Sequence, residues 1–424
     1  MGAETLTYTA NQVNGAAVSS VRSSATFTDA ANGVAIEVVN DKEWNISLQP
    51  AFMGKLSIGR DEYFVSVTDD SGASAEHAQD YLREGMKPYA LDAWDTWSGK
   101  ARVLAYVTNS EAHNVQVKYR KSGGEWQSVA ASSLSASEAC LWEAKLPLDV
   151  KADYEFYWCY DGKDNLAAAN ATFSTPDAPQ IPNGGFEEWS GECPLLPYTS
   201  EQWWDTGNHG SATLDTNVTN YSTEHVRPGS TGQYSAYLKS QFVAFGGVAG
   251  KFASGNIFFG KYLGTDGTNG IIGFGQEYKF VYKPNKLVVW YKGAVGKSDY
   301  AGGDLAKNES DKSQIYVWLC NWTGRHAVNT ADSSTFVNPT DTKTPEGNVI
   351  AYGEWHRVIT ENVDDGSDNG WQKLEIPITY REGKGFDDVV PNYLVISCAA
   401  SAYGDYFAGS TSSYMYVDDI EFVY

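Results

Sequence analysis

The sequence predicts an all-β protein made of tandem β-sandwiches, two small ones followed by one large β domain. Most patterned segments alternate apolar and polar residues, as half-buried strands do; examples are residues 33–39, 101–107 and 115–120. Glycine and other turn residues separate these segments at short intervals, which is typical of sandwiches. A helical pattern is nearly absent, and its best instance, residues 75–82, predicts roughly two turns of helix.

The first module is predicted to span residues 1–86. It contains predicted strands at 33–39, 44–48 and 62–67. Because an immunoglobulin-like sandwich needs roughly 100 residues or slightly fewer, the length of this segment fits one such module.

The second module is predicted to span residues 87–176. It combines the segment 117–120, Trp126 and the aromatic run 154–158, and it ends at Phe173-Ser174-Thr175-Pro176. This pattern resembles a fibronectin type III-like module, and such modules usually act as spacers.

A proline-bearing linker is predicted at residues 177–182, and the remaining segment, 183–424, is predicted to form one large β domain. The whole chain has 424 residues and 42% hydrophobic residues, which is enough for several packed cores. It has no stretch of about 18 apolar residues that would span a membrane.

The charge of the chain excludes some partners. Its formal net charge is −22, and a field of that sign repels nucleic acid and anionic membrane surfaces. The same excess of carboxylates leaves oxygen ligands for cations, although a solvated acidic surface explains it equally well.

The five cysteines lack the CxxC or CxxH spacing of a zinc site. Cys140 and Cys159 lie in neighbouring predicted strands, so a disulfide between them stays open. The alternative is that all five are small buried hydrophobic residues.

The large domain carries motifs that identify a family. It begins with Asn183-Gly184-Gly185-Phe186-Glu187 and ends with Tyr416-Val417-Asp418-Asp419-Ile420, ends that resemble those of many carbohydrate-binding jelly rolls. Three interior motifs narrow the match: Trp203–Asn208, Ala253–Tyr262 and Ala402–Ser410. In order and spacing, they resemble the putative carbohydrate metabolism domain of surface proteins from gut Bacteroidetes.

This resemblance implies a location and a setting. Members are typically lipoproteins with fibronectin-like or other sandwich modules ahead of this domain, and the family has no established reaction. We therefore expect a secreted, outer-membrane cell-surface lipoprotein whose lipid anchor and export signal are absent from this sequence. The expected partner is a polysaccharide or host glycan, and we expect a monomer.

Acidic residues at the two ends of the large domain predict a structural calcium ion. A first strand with Glu187 and a last strand with Asp418 and Asp419 would lie side by side, and alternation turns only one of the two aspartates inward. Buried carboxylates need neutralising, and similar jelly rolls place calcium there. Glu187, Asp418 or Asp419, and the backbone near Asn183 are the predicted ligands; ordinary surface acids are the alternative.

Two aromatic strands supply the predicted carbohydrate-binding residues. Alternation places Tyr316, Trp318 and Trp322 on one face of their strand, opposite an aliphatic face. Trp290 and Lys292 share a face of the other strand. If the aliphatic face forms the core, the aromatic one is exposed or concave, where sugar rings stack on Trp and Tyr. The alternative is that these aromatics fill a large sandwich.

No catalytic residues are predicted. Glycoside hydrolysis needs two carboxylates at a defined separation, and none of the acidic pairs here has a distinctive setting. Nucleophile-elbow, HExxH and phosphate-loop motifs are absent from the sequence. Non-catalytic glycan binding is the leading interpretation; a carbohydrate-active enzyme of the glycoside hydrolase type and a surface adhesin or structural subunit are the alternatives.

Overall fold

A computed structural model of the chain describes residues 6–12, 17–22, 27–29, 34–40, 43–48, 59–68, 74–83, 86–88, 96–97, 99–107, 114–134, 140–164, 171–245, 249–357 and 370–424. Before Met86 it describes the backbone of the strands and few side chains. The chain divides into two compact units, Met1–Pro176 and Asp177–Tyr424.

The first unit consists of short antiparallel strands. In chain order they are β1 (Leu6–Gln12), β2 (Ala17–Arg22), β3 (Phe27–Asp29), β4 (Val34–Asn40), β5 (Glu43–Leu48), β6 (Gly59–Thr68), β7 (Ser74–Arg83), β8 (Met86–Pro88), β9 (Lys100–Val107), β10 (Gln116–Lys121), β11 (Gln127–Ala130), β12 (Ser132–Ser133), β13 (Cys140–Pro147), β14 (Asp153–Tyr160), β15 (Lys163–Asp164) and β16 (Ala171–Ser174).

These strands form four sheets in the described part of the first unit. The orders are β2-β1-β6-β7, β3-β4-β5, β12-β13-β9-β8, and β11-β10-β14-β15 with β16 on β14. In the last two sheets alternate residues of β9, β10 and β14 are buried in one core, which includes Val103, Val117 and Trp158. Two sheets around one core make a sandwich.

Two sequence predictions for this unit can be compared with the structure: the helix at residues 75–82 and the disulfide between Cys140 and Cys159. The helix predicted at residues 75–82 is wrong: this segment is strand β7, which pairs with β6 along its whole length, because tertiary pairing overrides a weak local helix preference. Cys140 and Cys159 lie on β13 and β14, which belong to different sheets, and the side chain of Cys140 lies outside the described residues. Their disulfide stays a prediction.

The second unit is also built from strands, with one short helix, α1 (Asn208–Ser211). In chain order its strands are β17 (Trp204–Thr206), β18 (Thr219–Ser222), β19 (Ser235–Lys239), β20 (Gln241–Phe245), β21 (Ala249–Ala253), β22 (Asn256–Asp266), β23 (Asn269–Phe274), β24 (Gln276–Glu277), β25 (Lys286–Ala294), β26 (Ser313–Trp322), β27 (His326–Asn329), β28 (Lys343–Thr344), β29 (Gly347–Arg357), β30 (Gln372–Pro377), β31 (Thr379–Tyr380), β32 (Tyr393–Ala399) and β33 (Tyr414–Val423).

One large and one smaller sheet dominate the second unit. The large sheet has the order β27-β23-β22-β32-β26-β29-β28, with β17, β24 and β31 attached, and the smaller one has the order β18-β19-β33-β25-β30. The large sheet is curled, so the unit is a jelly roll of the predicted all-β class. Strands β20 and β21 form a separate hairpin. No helix among the described residues has the length and apolar character needed to cross a membrane.

The segment predicted to be a linker, 177–182, packs against the second unit. The Gln180 side chain exchanges two hydrogen bonds of 2.9 Å with the backbone of Phe422. The Pro179 carbonyl accepts a bond of 2.8 Å from the Tyr278 hydroxyl, and the Pro182 carbonyl accepts one of 2.8 Å from the Trp204 indole. This segment is therefore part of the unit that it precedes.

Candidate functional site

The second unit contains a cavity of about 570 Å³, a volume typical of small-molecule sites. Its floor is one face of the large sheet, because the lining residues alternate along four strands. The register of those strands places them in adjacent cross-strand pairs, such as Tyr316 with Ser397 and Phe258 with Ser397. The floor residues are Asn256, Phe258, Tyr262, Ile272, Phe274, Gln314, Tyr316, Ser397 and Ala399.

The walls of the cavity come from segments that leave the sheet. One wall is the helical turn at residues 207–214, and another is strand β21 of the β20–β21 hairpin together with Ser254. The loop at 265–270 and the loop at 401–407 close the other sides. Loops held by a rigid sheet are the usual setting of binding residues.

Asp405 is the carboxylate among the described lining residues, and it is partly buried at the cavity. It lies in the 3₁₀ turn Gly404–Tyr406, which ends because Phe407 takes a left-handed conformation with φ of 55°. Desolvation at this position raises the pKa of Asp405 to about 6. Its carboxylate has no hydrogen-bond donor and no ion-pair partner among the residues that the structure describes.

The loop that carries Asp405 is held by a buried neighbour, Asp311. One oxygen of Asp311 accepts hydrogen bonds from the Ser401 hydroxyl (2.6 Å), the Ser413 hydroxyl (2.8 Å) and the Ser410 amide (2.9 Å). Because these donors bracket residues 401–413, Asp311 fixes the position of the wall in front of the floor.

Aromatic rings and one ammonium group face the same space. Burial and the nearby charge of Asp405 raise the pKa of the Tyr316 hydroxyl well above its usual range. The Lys251 ammonium lies 4.0 Å from the centre of the Phe407 ring and donates a hydrogen bond of 2.8 Å to Asn269. The cavity therefore combines apolar ring faces with polar groups at defined positions.

Tyr262 presents a hydroxyl with no partner in the described structure, and this hydroxyl is buried. Its ring stacks on His209 with a centroid distance of 4.9 Å, and Asp205 holds both residues. Asp205 lies 2.9 Å from His209 Nε2 and accepts a 2.7 Å hydrogen bond from the Tyr262 amide. The stacking on His209 and the hydrogen bond from the Tyr262 backbone together fix the position of this side chain.

Of the predicted carbohydrate-binding aromatics, only Tyr316 lines this cavity. The alternation predicted for its strand is correct, but the prediction of an exposed platform is wrong for Trp318 and Trp322. They are 0% and 2% exposed and belong to a core with Phe274 and Tyr393. The strand is central in a curled sheet, so both of its faces are covered.

Trp290 and Lys292 lie in the smaller sheet, on β25, and do not form one surface with Tyr316. The Arg227 guanidinium covers the Trp290 ring, with a distance of 4.6 Å to the ring centre. Lys292 is fully buried, and its ammonium lies 2.9 Å from Nδ1 of His225. As arranged, neither side chain is a free platform for a sugar ring.

Three predicted calcium ligands, Glu187, Asp418 and Asp419, contact one loop, residues 227–234, through hydrogen bonds to protein groups. Asn183 lies in a turn and Glu187 in irregular structure, not in a first strand; the Glu187 carboxylate accepts hydrogen bonds from the Gln233 and Tyr234 amides, at 2.9 and 3.0 Å. Asp419 forms an ion pair with Arg227.

Asp418 is the inward-facing member of the aspartate pair, and it accepts the amide of Asp419 at 2.8 Å. The described residues include no group of three or more His, Cys, Asp or Glu side chains placed to hold a metal ion. This donor set does not fit a calcium cage as it stands, and the calcium ion stays a prediction.

The comparisons with known proteins agree with the sequence motifs. The family model of the putative carbohydrate metabolism domain matches residues 183–423, more than half of the chain, so the protein belongs to this family. Comparison with curated proteins gives no significant match.

Two solved structures overlap with part of the chain. One is a putative glycoside hydrolase from Bacteroides thetaiotaomicron VPI-5482, with 17% identity, a TM-score of 0.40 and coverage of 71% of this chain and 85% of that chain. The other is a putative glycoside hydrolase from Bacteroides vulgatus ATCC 8482, with 20% identity, a TM-score of 0.37 and coverage of 58% and 95%. Overlaps at these scores carry no argument about function.

The sequence did not predict most of the cavity residues, although several of them lie in the family motifs. The stretch 253–262 supplies Asn256, Phe258 and Tyr262, and the stretch 402–410 supplies Asp405 and Phe407. The family resemblance involves these residues but implies no role for them. Their convergence depends on sheet register and loop packing, which the sequence does not display.

Proposed function

We propose that the second unit binds a saccharide in this cavity without cleaving it. The observation that supports this proposal is the lining itself, which joins ring faces, hydroxyl and amide groups and one carboxylate. Membership of the putative carbohydrate metabolism domain family adds independent support for a role connected with carbohydrate.

The chemistry of the lining suits a sugar ring. The partly exposed ring of Phe407 offers an apolar face to the C–H face of a pyranose. Gln314 and Ser397 on the floor offer donors and acceptors for hydroxyl groups.

Binding is favoured over hydrolysis by the count of carboxylates. Hydrolysis of a glycosidic bond requires two, about 5–10 Å apart across the bond. Asp405 is the single carboxylate among the described lining residues. Asp205, which lies behind the floor, is fully buried and already accepts bonds from Gln202, Thr206, His209 and Tyr262.

The experiment is calorimetry of the whole chain with a panel of plant and host oligosaccharides. We expect Phe407→Ala and Gln314→Ala each to weaken binding of the best ligand about tenfold, or about 1.4 kcal/mol. The matched control is Tyr221→Ala, an aromatic side chain that is 44% exposed on the smaller sheet. No binding across the panel, or equal binding by all variants, would contradict the proposal; release of shorter sugars during incubation would show an enzyme.

We also propose that the protein works at the surface of a bacterial cell, in polysaccharide capture or utilisation. The support is the family resemblance, whose members are typically anchored by lipid and carry sandwich modules ahead of this domain. Surface proteolysis of intact cells that make the native protein, together with fatty-acid labelling, tests this location. A protein that is protected from protease and carries no lipid would contradict it.

A further inference from the structure

Asp405, which is partly buried at the cavity, differs from the fully buried carboxylates that the structure describes in the second unit. Asp205 and Asp311 each accept four hydrogen bonds from the chain. Asp418 accepts two backbone amides. A fully buried carboxylate without donors is costly, and at those three positions the chain supplies the donors. At Asp405 the chain supplies none, and the open side is the cavity.

The other titratable groups on the lining leave this charge uncompensated. They are Lys251, Tyr262 and Tyr316. The Lys251 ammonium is directed to the Phe407 ring and to Asn269, and it does not pair with Asp405. The two tyrosines are neutral at physiological pH, as tyrosine ordinarily is, and burial raises the pKa of both hydroxyls further.

The surroundings of Asp405 suit a cation. Aromatic faces attract cations through the negative charge of the ring face, and the effect grows when water is excluded. The Lys251 ammonium on Phe407, 4.0 Å from the ring centre, shows one such contact in this cavity. Tyr316 lies close enough to Asp405 for the two groups to interact electrostatically. A carboxylate beside aromatic rings is a common way to bind an amine.

We infer that the cavity selects saccharides that carry a protonated amine. Asp405 in the wall is the counter-charge of the amine, and the aromatic rings of the lining pack over it. This inference rests on the proposed saccharide binding and names its ligand class. N-acetylation of the same amine removes the positive charge and adds bulk, so an N-acetylated sugar is excluded from the same contact. Neutral sugars keep the ring stacking and lose the ion pair.

The test compares three matched disaccharides by calorimetry on the whole chain at pH 7. They are the β-1,4 disaccharides of glucosamine, of N-acetylglucosamine and of glucose. We expect the glucosamine disaccharide to bind at least tenfold more tightly than the other two. Its affinity should fall as salt is raised, while the affinity of the neutral disaccharides stays constant.

Variants assign the preference to Asp405. Asp405→Asn keeps the shape and removes the charge, and it should lower glucosamine-disaccharide affinity at least tenfold while changing neutral-sugar affinity less than threefold. Asp388→Asn makes the same charge change at an exposed position and controls for the net charge of the chain. If Asp405→Asn does not fold, the ranking of the three sugars and their salt dependence still decide.

Two results would overturn the inference and keep the proposed function: equal affinity for the three disaccharides, or equal loss of all three in Asp405→Asn. Both would make Asp405 an acceptor for sugar hydroxyls. Failure of every saccharide to bind would overturn the proposed function itself.

Discussion

The side chain of Gln180 pairs with the backbone of Phe422 as a strand would, through one donated and one accepted hydrogen bond of 2.9 Å each. It thereby joins the segment before the family domain to the last strand, β33. Each such bond contributes about 0.5–1.5 kcal/mol. The structural boundary of the unit therefore lies at Asp177, several residues before the start of the family match.

We expect a fragment of residues 177–424 to fold alone and to be about 1–3 kcal/mol more stable than a fragment of residues 183–424, from the bonds at Gln180 and its neighbours. Urea unfolding measures the difference. Gln180→Ala should lose about 1–2 kcal/mol, whereas Gln233→Ala, an exposed glutamine, should lose almost nothing. Equal stability of the two fragments would show that the docked segment contributes little.

Trp318→Ala should cost about 3–5 kcal/mol of folding free energy, because the indole is fully buried in a core with Trp322 and Tyr393. Chemical denaturation followed by circular dichroism measures this loss. Trp126→Ala is the control, since Trp126 is 37% exposed. A stable Trp318→Ala protein that had lost saccharide binding would instead support the exposed aromatic platform predicted from the sequence.

Asp311→Ala should displace the wall that carries Asp405, because it leaves the Ser401 and Ser413 hydroxyls and the Ser410 amide without their acceptor. We expect a loss of about 2–4 kcal/mol in stability, given three buried donors left unpaired, and at least tenfold weaker binding. Calorimetry and thermal melting give the two values. Normal binding by a folded Asp311→Ala protein would show that the wall is positioned by other contacts.

The stability of the ligand-free protein should fall as the pH rises from about 4 to about 6, because of Asp405. Its pKa rises from 3.8 in the unfolded chain to about 6 in the folded one, so in this window the folded state retains a proton that the unfolded state has lost. Above pH 6 the charged group costs at most about 2–3 kcal/mol. The Asp405→Asn variant should lack this decline and should have a higher melting temperature than the parent at pH 8. A pH–stability profile identical to that of the parent would contradict a raised pKa at Asp405.

Arg227→Met should destabilise the second unit by about 1–3 kcal/mol, because it leaves Asp419 without its ion-pair partner and uncovers Trp290. Thermal melting with chelator and with calcium measures this effect. From the contacts in the structure, we expect the loss to be independent of calcium. If calcium restores the variant, or if chelator lowers the melting temperature of the parent and Glu187→Gln abolishes that response, the ion predicted from the family resemblance is present.

The sequence by itself determined the all-β class and the family of the large domain. Alternation is a local property of the chain, so strands such as β9, β25 and β26 were predicted within a few residues. The motifs at both ends of the domain identified the family because they are contiguous and distinctive. The local signal failed at residues 75–82, where pairing with β6 decided the conformation.

Only the tertiary structure decided which faces are covered and which residues meet. Alternation showed that Tyr316, Trp318 and Trp322 share a face, but the curl of the large sheet buries all three, and of them Tyr316 alone also lines the cavity. Likewise, Asp405 is an ordinary turn residue in the sequence. It becomes the unpaired carboxylate of a cavity because the loop held by Asp311 brings it close to Tyr316, 89 positions earlier in the chain. Burial and pairing are properties of contacts between distant segments, and the pattern within one segment does not specify them.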